Sequence, residues 1–164
     1  MLAQTPVQIA WVTRDLDATE KALTTLLGAK KWVRVPDVHF TPDTCTYRGR
    51  PADFTAHISF SYAGDTQLEL IAPQSGDSVY SEFLDTAGPG LHHICVEALD
   101  PPAFDTALRD AERDGTPVVQ QGVMPGGMRF AYLSAADAGV PYIEIADIPG
   151  EIKAFFDYVK QEQQ

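Results

Sequence analysis

The sequence contains two similar halves, and this internal repeat limits the possible folds more than any other feature. Residues 7–12 and 92–97 are both short runs typical of β-strands, and an aspartate follows each of them. Residues 68–73 and 143–149 are apolar runs that each contain one glutamate. A chain that repeats a unit of this size is expected to fold as two copies of one supersecondary structure that share a core.

A helical pattern follows the first strand in each half. In the first half we predict Asp17 as the N-cap, with Glu20 three residues later and Gly28 at the end of the helix. In the second half we predict Asp100 as the N-cap and Pro101 at the first helical position, where its missing N–H costs nothing. Each helix then has one apolar side to bury.

Three strands are predicted after each helix. Alternation of apolar and polar residues indicates strands over 56–62 and 67–71 in the first half, and over 118–119 and 129–133 in the second. Each half therefore follows the order βαβββ. Residues 150–162 place apolar side chains at helical spacing, which predicts a C-terminal helix that packs on the body or on a partner subunit.

The predicted fold class is α+β, with two tandem βαβββ modules that pair into a curved mixed sheet around a shared cavity. The modules cover about residues 5–75 and 90–149, and residues 1–164 form a single domain. Residues 35–51 show no pattern, so we predict a long loop there, whose role the sequence does not give.

Composition excludes several classes of protein. The chain has 12 Lys+Arg against 23 Asp+Glu, a formal net charge of −11 at pH 7. This charge argues against binding to nucleic acid or to an anionic membrane surface, because both need clustered basic residues. No apolar segment is long enough to span a membrane, and we expect no signal peptide. With two cysteines only, we predict a cytoplasmic protein with free thiols.

Four polar residues occupy matching places in the two halves. Gln8 and His93 lie in the first strands, and Glu69 and Glu144 lie in the last strands. If the two sheets pair, side-chain alternation allows these four residues to enter one cavity. An imidazole, two carboxylates and an amide oxygen are donors for a divalent metal ion. Burial of an unpaired carboxylate costs several kcal/mol, which favours a cation beside each glutamate. Alternation predicts that His92 faces the other way and serves packing or a hydrogen bond.

These motifs resemble the vicinal oxygen chelate superfamily, which includes glyoxalase I, methylmalonyl-CoA epimerase, extradiol dioxygenases and bleomycin-resistance proteins. The resemblance rests on the repeat, on the Gly-Leu-His-His-Ile run at 90–94 and on the two glutamate-containing strands, and it covers nearly the whole chain. The layout is similar to the epimerases, and the Gln/Glu/His/Glu set is similar to glyoxalase I. It implies one divalent ion (Zn, Ni, Co or Mn) in each site and a homodimer. The implied metal ligands are Gln8, Glu69, His93 and Glu144.

The resemblance implies a metal-dependent isomerase or lyase that transfers a proton at a carbon next to a carbonyl through a metal-stabilised enolate. The leading interpretation is a methylmalonyl-CoA epimerase-like activity on an acyl-CoA; the alternatives are a glyoxalase I-like lactoylglutathione lyase and a metal-free protein that binds a small molecule. Glu144 would be the base, and Glu69 would act on the opposite face.

The implied substrate is a small carbonyl or thioester compound, and the charge of −11 argues mildly against a CoA thioester. Tyr47, Arg48 and Arg50 in the predicted loop are candidates for contact with an anionic group of the substrate.

Overall fold

A computed structural model of the protein describes residues 4–164. It contains ten strands and four α-helices within this range. The elements in chain order are β1 (Thr5–Val12), α1 (Leu16–Leu27), β2 (Val33–Phe40), β3 (Cys45–Tyr47), β4 (Arg50–Pro51), β5 (Phe54–Ala63), β6 (Thr66–Ser75), α2 (Val79–Ala87), β7 (Gly90–Glu97), α3 (Pro101–Arg113), β8 (Val118–Val123), β9 (Arg129–Ser134), a short 3₁₀ helix (Ala136–Ala138), β10 (Tyr142–Asp147) and α4 (Gly150–Gln161).

The strands form one mixed sheet in the order β2-β5-β6-β1-β7-β10-β9-β8-β3-β4. β1 and β7 lie antiparallel in the middle, and each has a parallel partner on its outer side, β6 for β1 and β10 for β7. On each side the next pairing is antiparallel, β5 with β6 and β9 with β10. The predicted α+β class, with a mixed sheet built from two copies of one strand pattern and a C-terminal helix, is confirmed.

The sheet is strongly curled, and the connection from β2 to β3 shows this. β2 lies at one end of the sheet and β3 lies next to the strand at the other end, yet only residues 41–44 separate them. A linker of this length spans at most about 18 Å, so the two ends of the sheet lie close together. The ring of Phe40 on β2 contacts that of Phe130 on β9, with 5.7 Å between centroids. The sheet therefore encloses a concave interior.

The prediction of a long loop over residues 35–51 is wrong, since most of this segment lies in β2, β3 and β4. β2 contains a bulge: its register with β5 shifts between Val35 and Val38, and Asp37 has a positive φ of 54°. The bulge interrupts the alternation that would have indicated a strand. β3 pairs with β8, which lies far away in the sequence, and no local pattern predicts such a pairing.

The N-cap predicted for α1 is wrong by two residues. The cap is Asp15 rather than Asp17, and the side chain of Asp15 accepts a hydrogen bond of 3.0 Å from the backbone N–H of Ala18. The predicted end is confirmed, because Gly28 adopts the left-handed conformation with a φ of 77°. This conformation favours glycine over residues that have a Cβ.

Helix α3 begins at the predicted cap, where the side chain of Asp100 accepts a hydrogen bond of 2.8 Å from the backbone N–H of Ala103. We expect Asp100→Ala to lower the free energy of unfolding by about 1 kcal/mol, measured by urea denaturation. Asp100→Asn should retain most of the stability, because its amide oxygen can accept the same bond. Equal stability of the alanine variant and the wild type would contradict this role of Asp100.

Helix α4 packs on the body of the same chain and covers part of the concave interior. The rings of Phe155 and Phe156 lie 5.8 and 5.4 Å from that of Phe60 on β5, and Val159 is fully buried. Since this apolar face is used within the chain, it no longer supports the predicted homodimer, which stays a prediction. None of the helices within residues 4–164 is both long and apolar enough to cross a membrane.

Candidate metal centre

The four predicted donor residues lie on the four central strands of the sheet, β6, β1, β7 and β10. Their backbone positions are related by the same register in both halves. The neighbours across the strands are Ala10 with Glu69 and His93, and Cys95 with Glu144 and Gln8. Because Ala10 and Cys95 each pair with two of the four residues, one donor from each of the four strands lies near a common point.

The side chains of all four residues come together in the concave interior. One donor atom from each of Glu69, His93 and Glu144 lies within 4.8 Å of the other two. His93 Nε2 is 3.6 Å from Glu69 Oε1 and 3.2 Å from Glu144 Oε2. It is also 3.3 Å from Gln8 Oε1, the amide oxygen of the fourth residue. All four side chains are buried.

The surroundings of the two buried carboxyl groups shift their pKa values in opposite directions. Burial and the neighbouring Glu144 carboxylate raise the pKa of Glu69 well above its ordinary value, against a smaller opposing effect of the Gln8 hydrogen bond. Burial also acts to raise the pKa of Glu144, but hydrogen bonding and charge from His93, with hydrogen bonds from Tyr132 and Cys95, lower it overall. Two buried carboxyl groups therefore share one site with the His93 imidazole, whose Nε2 lies within 3.6 Å of an oxygen of each.

The donor set fits a divalent metal ion, and the surroundings of His93 support this. A histidine that binds a metal through Nε2 must hold its proton on Nδ1. Nδ1 of His93 lies 2.8 Å from Nδ1 of His92, so it can donate that proton in a hydrogen bond and fix the ring. Two carboxylates, an imidazole and an amide oxygen are ligands that Zn²⁺, Ni²⁺, Co²⁺ and Mn²⁺ accept.

Alternation predicts that His92 faces away from the site, and this prediction is wrong. The register of β1 and β7 shifts where Ala10 pairs with His93 and Trp11 pairs with Leu91. His92 is the extra residue of this bulge, so its ring lies on the same side as that of His93, with 5.1 Å between centroids. The predicted role in a hydrogen bond agrees with its contact to His93.

Sequence reasoning missed Tyr132 and helix α2, which complete the wall of the site. Tyr132 lies opposite Glu144 in the β9–β10 register, and its hydroxyl lies 2.7 Å from that of Tyr80 on α2. Burial and the Glu144 carboxylate raise the pKa of Tyr132 well above its ordinary value, so its hydroxyl stays neutral. Pairing the predicted strands 129–133 and 143–149 as an antiparallel hairpin places Tyr132 opposite Glu144, and this pairing could have identified Tyr132.

A cavity of about 320 Å³ gives access to one side of the site. Gln8, Cys95 and Glu144 line it, and the thiol of Cys95 donates a hydrogen bond of 3.4 Å to Glu144 Oε1. Within the described residues, neither Glu69 nor His93 lines this cavity. A substrate in it would therefore meet Glu144 before the other carboxylate.

Two ion pairs connect helix α4 to β7 and to the β5–β6 turn across the same cavity. Lys153 Nζ lies 2.7 Å from Glu97 Oε1, and Lys160 Nζ lies 2.7 Å from Asp65 Oδ1. All four residues line the cavity. Both lysines are thus already paired with carboxylates.

Tyr47, Arg48 and Arg50 do not lie beside this cavity. They line a different one, which shares no residue with it. The Arg48 guanidinium forms an ion pair with Glu82, with 2.5 Å between Nη2 and Oε1. Their role in substrate binding stays a prediction, and the pairing of Arg48 with Glu82 gives no support for it.

Comparison with known families and sequences gives two matches. The family model described as the glyoxalase/bleomycin resistance protein/dioxygenase superfamily matches residues 7–132. This range contains three of the four donor residues and ends before Glu144. By sequence, the uncharacterized protein YqjC of Bacillus subtilis (strain 168) is 28% identical over 100 residues, which are 58% of this chain and 67% of that protein.

Solved structures of similar fold include methylmalonyl-CoA epimerases. The enzyme from Mycobacterium tuberculosis has a TM-score of 0.63 at 22% identity, covering 94% of this chain and 97% of that one. The hypothetical protein BH1468 from Bacillus halodurans C-125 has a TM-score of 0.60 at 17% identity, with 90% and 96% covered. A Glu-to-Gln variant of the Streptomyces coelicolor methylmalonyl-CoA epimerase in complex with 2-nitronate-propionyl-CoA has a TM-score of 0.54 at 21% identity, covering 88% of this chain and 98% of that one. At these identities the likeness shows the fold.

Proposed function

Since the chain belongs to the glyoxalase/bleomycin resistance protein/dioxygenase superfamily, we propose that it is a metal-dependent isomerase or lyase. In this proposal the enzyme moves a proton at a carbon atom next to a carbonyl group, as in an epimerisation. The observation that supports it most directly is the buried group of Glu69, His93 and Glu144, whose donor atoms lie within 4.8 Å of one another. Two buried carboxylates at this separation are costly without a cation.

Gln8, Glu69, His93 and Glu144 would hold the divalent ion. When bound, it would supply Lewis-acid stabilisation of negative charge on the carbonyl oxygen of the substrate. His92 would keep the His93 ring in place through the contact between the Nδ1 atoms. The neutral hydroxyl of Tyr132 and the thiol of Cys95 hold the Glu144 carboxylate by hydrogen bonds.

Glu144 is the candidate base because it is the carboxylate that lines the access cavity. Its pKa is lowered overall by His93, Tyr132 and Cys95 despite burial, so it is ionised near neutral pH and can accept a proton. Glu69 lies beside the same His93 Nε2 atom, at 3.6 Å, and burial raises its pKa in the metal-free protein. An epimerase requires two proton-transferring groups, one for each face of the carbon atom, and Glu69 would be the second.

The proposal is tested by metal content and by proton exchange. Protein purified without chelator should contain about one divalent ion per chain. In D₂O it should incorporate deuterium into racemic methylmalonyl-CoA or turn over the hemithioacetal of methylglyoxal and glutathione, which separates the epimerase-like from the glyoxalase I-like interpretation. Glu144→Gln should slow the reaction by at least about 100-fold, whereas Glu112→Gln, on the exposed side of α3, should not.

Two results would contradict the proposal. If the wild type from metal-replete growth holds no metal and catalyses neither reaction, the protein is a metal-free binding member of the family. If it holds metal but exchanges no proton in any acyl-CoA or hemithioacetal, both named substrates are wrong, and the ion serves a different carbonyl compound or another reaction.

A further inference from the structure

A second cavity, of about 270 Å³, lies in the concave interior beside the metal centre, and it is lined entirely by apolar side chains. β2 and β5 form one wall, helix α4 forms the opposite wall, and the turn between β8 and β9 closes the end. This turn is held by a hydrogen bond of 2.8 Å from the N–H of Met124 to the carbonyl of Met128. We refer to this space below as the apolar cavity.

The apolar cavity adjoins the cavity that contains Glu144. Met128 and Phe156 line both of them and form the partition. Met128 packs in one cluster with Cys95, whose thiol bonds to Glu144. On the other side, Phe60 lines the apolar cavity and lies directly opposite Glu69 in the β5–β6 register. The apolar cavity therefore begins next to the metal centre on both sides.

The charges around the metal centre disfavour a polyanionic ligand. The cavity that contains Glu144 is also lined by Asp65, Glu97 and Asp157, and both of its lysines are paired with carboxylates. A CoA diphosphate placed there would meet a surplus of negative charge, and a diphosphate needs cationic partners when it is removed from water. An uncharged hydrocarbon group loses nothing in such surroundings and gains by burial in the adjoining apolar cavity.

On the basis of the proposed function, we propose that the substrate is a carbonyl compound with an aliphatic or aromatic group that occupies the apolar cavity. The carbonyl oxygens would lie beside Gln8 and Glu144, and the hydrocarbon group would pass the partition of Met128 and Phe156. A cavity of about 270 Å³ accommodates roughly nine non-hydrogen atoms, judged by the ~30 Å³ that a water molecule occupies in the liquid.

The first test compares two hydroxamates, which present neighbouring oxygens to a metal and differ only in chain length. Isothermal titration calorimetry on the zinc-loaded protein should show that hexanohydroxamate binds about 30-fold more tightly than acetohydroxamate. Each fully buried methylene contributes up to about fourfold in affinity, and the longer probe has four more. Equal affinities would overturn the proposal while leaving the metal site intact.

A second test needs no metal and reports on the apolar cavity directly. The chain has three methionines, so a protein labelled with ¹³C at the methionine methyl groups gives a simple spectrum, assigned with Met124→Leu and Met128→Leu. Addition of 2-hexanone to the metal-free protein should shift the resonances of Met124 and Met128. If they move although no hydroxamate binds, the apolar cavity is supported and the metal proposal fails. If neither ligand moves them, the proposal is overturned.

Filling the cavity should remove the chain-length effect. Val38 is a buried residue of β2 that lines the apolar cavity, and Val38→Trp should reduce the preference for hexanohydroxamate to below about threefold. The affinity of the Val38→Trp variant for acetohydroxamate should stay close to that of the wild type. The matched control is Leu108→Trp, which lies at a surface cavity that shares no residue with the apolar one. If Val38→Trp does not fold, the wild-type methyl shifts still decide the question.

Discussion

Replacing His93 with alanine is expected to lower the affinity of the protein for divalent metal ions by more than about 100-fold. His93 is the only nitrogen ligand of the proposed set, and its Nε2 lies within 3.6 Å of a donor oxygen of Glu69, Glu144 and Gln8. Removal of partners that merely orient a ligand costs about 10- to 100-fold in affinity, and loss of the ligand itself should cost more. Titration with Zn²⁺ in a competing chelator gives the affinity of each variant.

Thermal unfolding provides an independent measure of the same effect. A ligand that binds only the native state at 1,000 times its Kd stabilises it by about 4 kcal/mol, so Zn²⁺ should raise the Tm of the wild type and leave that of His93→Ala nearly unchanged. His57→Ala is the matched control, because the His57 ring accepts a hydrogen bond from the backbone of Asp37 in β2 and lies outside the site. Equal stabilisation of wild type and His93→Ala by Zn²⁺ would show that the ion binds elsewhere.

The repeat allowed the convergence of Gln8, Glu69, His93 and Glu144 to be predicted from the sequence, because equivalent positions in two paired modules face one centre. Glu69 and Glu144 were recognisable since a glutamate flanked by aliphatic residues is unusual in a buried strand. Helix α3 and its cap at Asp100 were also predictable, because caps depend on a few consecutive residues. These features all follow from local patterns or from comparison of one half with the other.

The features that the sequence did not reveal depend on bulges and on contacts between distant segments. A bulge places His92 beside His93, and another bulge at Asp37 interrupts the alternation of apolar and polar residues that would have indicated β2. Tyr80 reaches Tyr132 only because α2 folds into the concave interior. The apolar cavity likewise depends on where α4 packs against β5, and amphipathic spacing alone does not specify the surface that a helix covers.

The two buried carboxylates give the second large prediction, which concerns stability. In the metal-free protein, Glu69→Gln is expected to raise the free energy of unfolding by about 1–3 kcal/mol at pH 8, since a carboxyl group whose charge is disfavoured by burial and by Glu144 is replaced by a neutral group of the same shape. Its amide oxygen can still accept the hydrogen bond that Gln8 Nε2 now donates to Glu69 Oε2 at 3.3 Å. With saturating Zn²⁺ the order should reverse, because the wild type gains binding energy that the variant lacks.

The dependence of this effect on pH follows from the raised pKa of Glu69, which is due first to burial and then to the Glu144 charge. A carboxyl group whose pKa is higher in the folded state stabilises that state while it is protonated. This contribution is complete below the unfolded pKa of about 4.3 and is lost as the pH rises through the folded pKa. The advantage of Glu69→Gln should therefore be small in acid and grow towards alkaline pH.

Urea denaturation in the presence of EDTA, repeated between pH 4 and pH 8 and then with Zn²⁺ at pH 8, measures both parts of this prediction. Glu112→Gln is the control, because Glu112 is exposed on α3, and it should change stability by less than about 0.5 kcal/mol in every condition. A Glu69→Gln variant that is less stable than the wild type in EDTA at pH 8 would show that His93 and Gln8 already compensate the Glu69 charge. The pair of carboxylates would then need no cation, and the strongest physical reason for a metal at this site would be removed.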